Sequence, residues 1–326
     1  MTATFLRRDV FWLAAGAAAL TLVPRAARAQ TYPTQPVRVI VPFPAGQAAD
    51  SISRIVAQSL SVRLGQPFIV ENRPGAGGNI GTEVAARSAP DGYTILFEVM
   101  TANAINASLY PHLKFNFVND VAPVALLGGS AYVMTVQPSF PAKTVAEFIA
   151  YAKANPGKIN MGSAGIGTPP HMFGELFKET TGIEMVHVPY SGSYVPDLLS
   201  GQVQVVFAPV PTVVAHIRAG RLRALAVTTA RPSPALPGVP AIADTVTGYD
   251  ASGYFGIGAP KATPAAIVDK LNQAINAGLA DPDVKAKLAN LGLEPQAMTP
   301  AQYGKLIADE TAKWAKVVKS AGIKAE

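Results

Sequence analysis

Histidines and acidic residues are the side chains in this sequence that could bind a metal. The histidines are His112, His171, His187 and His216. None lies four residues from another, and no H-x-x-x-H motif occurs, so the pattern indicates no metal site. The chain also has no cysteine, which excludes thiol nucleophiles and thiolate ligands. With no nucleotide or flavin motif either, the sequence predicts a protein without a cofactor.

Serine hydrolysis is the other chemistry to consider. Ser163 lies in Gly162-Ser-Ala-Gly165, which is not the G-x-S-x-G motif of a nucleophile elbow. Asp50, Ser163 and His171 could form a triad, but nothing in their spacing supports one. Asp50 falls just inside a predicted helix, where a carboxylate complements the helix dipole. We therefore predict that the protein is not an enzyme, with an exported hydrolase as the less favoured alternative.

The turn around Gly46 predicts an anion-binding site. The β-branched run 37–41 reads as a buried strand that Pro42 and Pro44 end, and Gly46 permits the turn after it. From Ala48 onward, apolar residues recur at helical spacing. The N–H groups at the start of such a helix are free, and the positive end of its dipole favours an anion.

A second turn of the same kind follows Ile159. Glycines and Ser163 fill the segment 160–167, and a predicted helix begins after Thr168, a good N-cap residue followed by proline. His171 lies one turn into this helix. It could contact an anion or pack as a structural residue, and both interpretations remain open.

Polar residues also follow the third predicted strand, in the segment 101–106. Thr101 could line a cleft beside the Gly46 turn, or these side chains could cap a short helix that ends near Tyr110. Two α/β halves that present such turns across a cleft would bind a small anion mainly through backbone N–H groups. Closure of a hinge would then bury the anion.

Residues 1–29 have the pattern of a cleaved export signal. Arg7-Arg8 precede an apolar run over 10–23, and Ala27-Arg28-Ala29 predicts cleavage before Gln30. The arginine pair resembles a twin-arginine signal, although Sec export stays open. The run is too short for a transmembrane anchor, so the expected location of the mature protein is the periplasm.

The charge of the chain argues against nucleic acid as a partner. The formal net charge is 27 − 21 = +6, and residues 1–29 contribute four arginines and one aspartate, or +3. No basic tract interleaved with aromatic residues occurs. The remaining mild positive charge is compatible with an anionic solute.

Several stretches of the sequence together resemble the Bug-type extracytoplasmic receptors of tripartite tricarboxylate transport systems. They span essentially the whole mature chain: Tyr32-Pro-x-x-Pro-Val-Arg-Val-Ile-Val-Pro-Phe-Pro-Ala-Gly46, Val70-Glu-Asn-Arg-Pro-Gly-Ala-Gly-Gly-Asn-Ile-Gly81, Ala89-Pro-Asp-Gly-Tyr-Thr94, Asn160-Met-Gly-Ser-Ala-Gly-Ile-Gly-Thr-Pro-Pro-His171, Val188-Pro-Tyr-Ser-Gly192, Asp197-Leu-Leu-Ser-Gly-Gln-Val203, Ala219-Gly-Arg-Leu-Arg-Ala-Leu-Ala-Val-Thr228 and Gly258-Ala-Pro-Lys-Ala-Thr-Pro264.

This resemblance implies an α/β, two-domain periplasmic-binding-protein fold of the Venus flytrap, type II-like, with a ligand cleft between the lobes. Residues 31–130 and 254–326 are expected to form lobe 1, and residues 131–253 lobe 2. The implied function is to capture a small organic acid and deliver it to the membrane permease subunits of a tripartite tricarboxylate transporter. We expect a monomer. A receptor that feeds a signalling protein is the alternative with the same fold.

The resemblance also implies which residues hold the ligand carboxylate, partly through waters. In lobe 1 they are Phe43, Gly46, Ala48 and Asp50. In lobe 2 they are Ser163, Ala164, Gly167, Thr168, His171 and Tyr190.

Two departures from the family pattern bear on specificity. Where relatives commonly have Pro-Gly-Gly-Gly-x-Asp, this chain has Ala45-Gly-Gln-Ala-Ala-Asp50, which adds the Gln47 amide to the turn. Where many relatives have an acidic residue after a central strand, this chain has Ala208. A ligand ammonium would lack that counter-charge, so the hypothesis is a carboxylate without an amine, with aromatic acids among the options.

Overall fold

The computed structural model describes residues 32–190 and 192–324. The predicted export signal and the cleavage site before Gln30 lie outside these residues. Within them the chain alternates strands and helices, as an α/β protein does. The strands are β1 (Val37–Val41), β2 (Phe68–Asn72), β3 (Thr94–Val99), β4 (Val121–Ser130), β5 (Tyr132–Val136), β6 (Asn160–Ser163), β7 (Val186–Pro189), β8 (Val205–Pro209), β9 (Arg223–Val227), β10 (Gly253–Pro260) and β11 (Leu293–Pro295).

Helices follow most of these strands. They are α1 (Ala48–Leu64), α2 (Asn79–Ala86), α3 (Met100–Leu109), α4 (Phe117–Asp120), α5 (Val145–Ala154), α6 (Pro169–Thr181), α7 (Val195–Ser200), α8 (Val210–Arg218), α9 (Ala265–Leu279), α10 (Pro282–Asn290) and α11 (Pro300–Ser320). Within the described ranges, no helix is both long enough and apolar enough to span a bilayer.

The first sheet has six strands in the order β11-β4-β10-β3-β1-β2. β1 pairs in parallel with both β2 and β3, which confirms the β-α-β-α-β opening predicted from the sequence. β10 lies antiparallel between β3 and β4, so a strand from late in the chain completes the middle of the sheet. β1 carries Val37, Ile40 and Val41 fully buried, because helices cover both faces of the sheet.

The second sheet has five strands in the order β7-β6-β8-β5-β9. β6 pairs in parallel with β7 and β8, and β5 pairs antiparallel with β8 and β9. α6 packs against this sheet with Met172, Phe173 and Phe177 fully buried. This helix begins directly after the turn that follows β6, as the sequence predicted.

The chain passes between the two sheets twice. β4 ends at Ser130 and β5 begins at Tyr132, so the first passage is at Ala131. The second is the segment that returns to β10 at Gly253, which pairs with Ser130. The two passages are therefore neighbours, the arrangement expected of a hinge. The predicted residue limits of the lobes themselves stay a prediction.

The last helix, α11, contacts elements of both lobes. Near its start, the Tyr303 hydroxyl donates a hydrogen bond to the Glu98 carboxyl group on β3. Further along, Trp314 stacks on Phe173 of α6, and Ser320 Oγ donates to Glu179 at 2.9 Å. Thr299 and Gln302 form a capping box that fixes where the helix begins.

Candidate ligand-binding site

A cavity of about 420 Å³ is lined by residues from both lobes. Its size falls within the range of small-molecule sites. The first lobe contributes Phe43, Gln47, Ala48, Ala49, Gly77, Val99, Ala102, Asn106, Tyr110 and Phe255, and the second Tyr132, Ala164, Ile166, Gly167, Thr168, Pro169, Pro170, Gly192, Ser193, Tyr194, Pro209 and Thr212.

No acidic, basic or histidine side chain is among the described residues that line this cavity. Its walls are aromatic and aliphatic, with hydroxyl and amide groups between them. The two buried tyrosines, Tyr132 and Tyr194, are neutral at pH 7. Burial raises the pKa of Tyr194 to about 12 and that of Tyr132 further still. Polar recognition in this cleft therefore comes from uncharged donors and acceptors.

The Gly46 turn brings the start of α1 to the cavity. Gly46 has φ +83°, a backbone conformation that favours glycine. Gln47 is the N-cap residue, and its side chain makes no capping bond. The N–H groups of Ala48 and Ala49, in the first helical turn, have no acceptor among the described residues. These two donors are thus free for an anion at the positive end of the helix dipole.

Asp50 lies behind this turn and holds its shape. Its carboxylate accepts hydrogen bonds from Gly46 N, Arg54 Nε and Asn72 Nδ2, each at 3.0 Å. The bond from Arg54, helped by those from Gly46 and Asn72, lowers the pKa of Asp50 to about 2 against the opposing effect of burial. The residue is 5% exposed and does not line the cavity. Direct contact of Asp50 with a ligand stays a prediction.

In the second turn, residues 163–168, backbone N–H groups that are hydrogen-bonded within the protein alternate with N–H groups that are not. Gly165 N donates to Ser163 Oγ at 3.1 Å, and Gly167 N donates to His171 Nδ1 at 3.0 Å. The N–H groups of Ala164 and Ile166 have no acceptor among the described residues, and both residues line the cavity. This turn therefore presents two free donors from the second lobe.

The start of α6 offers fewer donors than the sequence analysis assumed. Pro169 and Pro170 occupy its first two positions and have no N–H. Thr168 is at the N-cap position, but its hydroxyl donates to Gly165 O at 2.7 Å instead of capping the helix. Anion recognition by this lobe therefore depends on the turn more than on the helix dipole.

Ser163, the buried His171 and the half-buried His187 form a group beneath the turn. Ser163 is fully buried, and its Oγ lies 2.6 Å from His187 Nε2. The imidazole of His187 stacks on that of His171, with centroids 3.6 Å apart. Burial and the neighbouring His171 lower the pKa of His187 to about 4. Within the described residues, the histidine that contacts Ser163 is thus His187 and not His171, which was considered from the sequence.

Three further predicted residues lie outside the cavity lining. The Thr101 hydroxyl donates to Ser252 O at 3.0 Å and accepts from Tyr254 N at 2.9 Å, so it braces the second passage between the sheets. Tyr190 Oη donates to Asp197 at 2.7 Å. Ala208 is fully buried in β8.

Of the predicted site residues, those that line the cavity are Phe43, Gln47, Ala48, Ala164, Gly167 and Thr168. The other four residues of the two turns make hydrogen bonds that hold the turns and do not line the cavity: Gly46, Asp50, Ser163 and His171. Contact of any of these with a ligand stays a prediction. Sequence reasoning missed the aromatic walls Tyr110, Tyr132, Tyr194 and Phe255. Their position at strand ends and element boundaries was the available signal.

The two sheets, the neighbouring passages between them and a cleft lined by both lobes define the class of periplasmic binding proteins. The chain matches the model of the "Tripartite tricarboxylate transporter family receptor" (TctC) over residues 52–323. It belongs to this family, which consists of substrate-binding receptors and not of enzymes.

Relatives with known names and structures extend the comparison. BugT of Bordetella pertussis is 39% identical over 302 residues, which cover 91% of this chain and 92% of BugT. The structure of R. palustris Rpa4515 with adipate has 35% identity and a TM-score of 0.79, covering 90% of this chain and 99% of that one. MatC from Rhodopseudomonas palustris with bound malate has 29% identity and a TM-score of 0.74, covering 88% and 100%.

Proposed function

We propose that the protein is a periplasmic receptor that captures a small organic carboxylate between its lobes and delivers it to a tripartite tricarboxylate-type membrane transporter. One observation carries the proposal. The cavity is lined from both lobes by residues whose backbone N–H groups have no acceptor among the described residues, Ala48 and Ala49 on one side and Ala164 and Ile166 on the other. An anion between them would connect the lobes and favour their closure.

The relatives support a carboxylate as the anion. Rpa4515 was solved with adipate and MatC with malate, both small dicarboxylates. In this chain the side chains of Gln47 and Ser193 line the same cavity and keep donors that no described residue uses, so they can hydrogen-bond carboxylate oxygens, directly or through water. The Thr168 hydroxyl and the Asn106 amide, which also line the cavity, already donate within the protein.

The cavity favours acids that carry no ammonium group. Because no carboxylate lines it among the described residues, a bound ammonium would be desolvated without a counter-charge. Ala208, where the family resemblance implies an acidic residue in many relatives, is uncharged, and it is buried in β8 outside the cavity lining. The aromatic walls suit an aliphatic chain or an aromatic ring between the polar ends.

A thermal-shift screen of organic acids tests the proposal. A ligand present at about 100 times its dissociation constant stabilises the folded state by about 2.7 kcal/mol, which raises the melting temperature measurably. We expect a shift with at least one plain mono- or dicarboxylate. A screen in which amino acids or sugars stabilise the protein and plain acids do not would contradict the proposal.

Delivery to a transporter is tested in cells. We expect cells that lack this gene to lose high-affinity uptake of the acid identified in the screen, and to regain it with the gene. Unchanged uptake, together with loss of a transcriptional response to the acid, would favour the signalling alternative.

A further inference from the structure

We infer that the stacked pair His171 and His187 positions the turn 163–168 for ligand capture, with His171 Nδ1 as the acceptor that fixes Gly167. This role rests on the proposed function, because the turn is one wall of the ligand cavity. His171 and His187 themselves do not line the cavity. They are therefore positioning residues and not ligand contacts.

The hydrogen bonds of the turn carry the inference. Gly165 N is held by Ser163 Oγ and Gly167 N by His171 Nδ1. The intervening N–H groups, of Ala164 and Ile166, are the ones left free at the cavity. Two side chains beneath the turn thus select which backbone donors are used internally and which remain available to an anion.

The geometry around His171 indicates which of its ring nitrogens accepts a hydrogen bond. Nδ1 accepts the Gly167 N–H, so the neutral ring carries its proton on Nε2. Nε2 lies 3.6 Å from Glu175 Oε1, and Glu175 also accepts two hydrogen bonds from Lys178 Nζ at 2.9 Å. Despite its burial, Glu175 keeps a lowered pKa through the neighbouring His171 and the bonds from Lys178. A charged carboxylate therefore favours the tautomer that the turn requires.

His187 completes the support from the neighbouring strand. Its ring stacks on His171 with an interplanar angle of 9°, and its Nε2 contacts Ser163 Oγ. The imidazole pair is therefore linked to both glycine N–H groups. His171 accepts from Gly167 N directly, and His187 contacts Ser163, which accepts from Gly165 N. Gly167 also approaches the first lobe closely, since a Cβ on it would lie 2.1 Å from Leu109 Cδ2. A displaced turn would therefore disturb both the cavity and the contact between lobes.

Two substitutions of His171 distinguish its hydrogen bond to Gly167 from its contribution to packing. Asn places Oδ1 where His has Nδ1, so H171N keeps the acceptor for Gly167 N, whereas H171L removes it at similar bulk. Ser163→Ala removes the acceptor for Gly165 N with little change in volume and serves if H171L does not fold. Phe177→Leu is the stability control, because Phe177 is fully buried on the same helix, six residues beyond His171, and makes none of the turn hydrogen bonds.

The first measurement needs no ligand. By NMR-detected amide hydrogen exchange of the unliganded protein, we expect the Gly167 amide to exchange faster in H171L than in wild type and to keep near wild-type protection in H171N. The Gly165 amide should exchange faster in S163A. Unchanged exchange of Gly167 in H171L and of Gly165 in S163A would overturn the inference.

The second measurement is adipate affinity by calorimetry. We expect H171L and S163A to bind about 10-fold more weakly, and H171N and the F177L control to stay within about 3-fold of wild type. Equal weakening by H171N and H171L would overturn the positioning role. If wild type does not bind adipate, that result bears on the proposed ligand alone, and the NMR comparison decides the positioning role.

Discussion

Trp314 of α11 stacks on Phe173 of α6, with ring centroids 5.3 Å apart and an interplanar angle of 19°. The same helix is bonded at Tyr303 to Glu98 in the first sheet. α11 thus connects the two lobes outside the two chain passages. Its position relative to α6 is expected to change when the lobes move about their hinge.

Trp314 should therefore report ligand binding by fluorescence. It is fully buried, and the sequence has one other tryptophan, Trp12, in the predicted export signal. We expect saturating ligand to change the emission of the mature protein, because closure alters the stack with Phe173. Phe173→Leu is the matched control and should reduce the change while ligand still binds. Identical Trp314 emission with and without bound ligand would contradict a lobe movement that changes the position of α11 relative to α6.

Asp50→Asn should destabilise the protein at neutral pH. The folded-state pKa of Asp50, about 2, is below its ordinary 3.8, so the carboxylate contributes stability above pH 3.8 and loses it as the pH falls toward 2. The difference corresponds to roughly 2 kcal/mol. In thermal unfolding we expect a lower melting temperature for D50N at pH 7 and a smaller gap near pH 3. Arg54→Gln, which leaves the bonds from Gly46 and Asn72, should have the smaller effect. If the melting temperatures of D50N and wild type differ equally at both pH values, the result would count against a lowered pKa for Asp50.

Glu98→Gln should remove a pH-dependent loss of stability. Burial raises the pKa of Glu98 from 4.5 to about 8, with the Tyr303 bond acting in the opposite direction. Between these values the unfolded chain releases a proton that the folded chain retains, so stability falls as the pH rises from 4.5 to 8. We expect the melting temperature of E98Q relative to wild type to increase over this window, with the exposed Glu184→Gln as control. A difference that does not vary with pH would be evidence against a neutral Glu98.

Gln47 should strengthen carboxylate binding through its side-chain amide. It lines the cavity, is exposed and makes no side-chain capping bond. A hydrogen bond to a carboxylate is worth about 1.5–3 kcal/mol, so we expect Gln47→Ala to weaken binding roughly 10-fold or more in calorimetry. Gln47→Glu should weaken it further, because it adds a negative charge. Equal affinity of wild type and both variants would exclude a contact from Gln47.

The two turns could be predicted because their signals are local. β-branched runs, glycines and prolines at fixed spacing gave the strand, turn and helix at Gly46 and again at 163–168, and the structure has both. The polar segment 101–106 was ambiguous from sequence. It forms the first turns of α3, where Asn106 lines the cavity and Thr101 braces a passage between the sheets.

The contacts between distant residues could not be predicted in this way. Ser163 and His187 are 24 residues apart, and they meet because β6 and β7 pair in parallel with Met161 opposite His187. Glu98 and Tyr303 are 205 residues apart. Strand register and helix docking determine which residues form these pairs. A hydrophobic pattern predicts which face of a strand or helix is buried, but it does not identify the residue that this face will contact.

The central claim is that the cleft captures a small carboxylate that carries no amine. Isothermal titration calorimetry of the mature protein with matched pairs tests it most directly: malate against aspartate, and adipate against 2-aminoadipate. The account predicts that at least one plain acid binds with a dissociation constant of about 10 μM or below, and that its amino counterpart binds about 100-fold more weakly. Tight binding of an amino acid, with no binding of the plain acids, would contradict it.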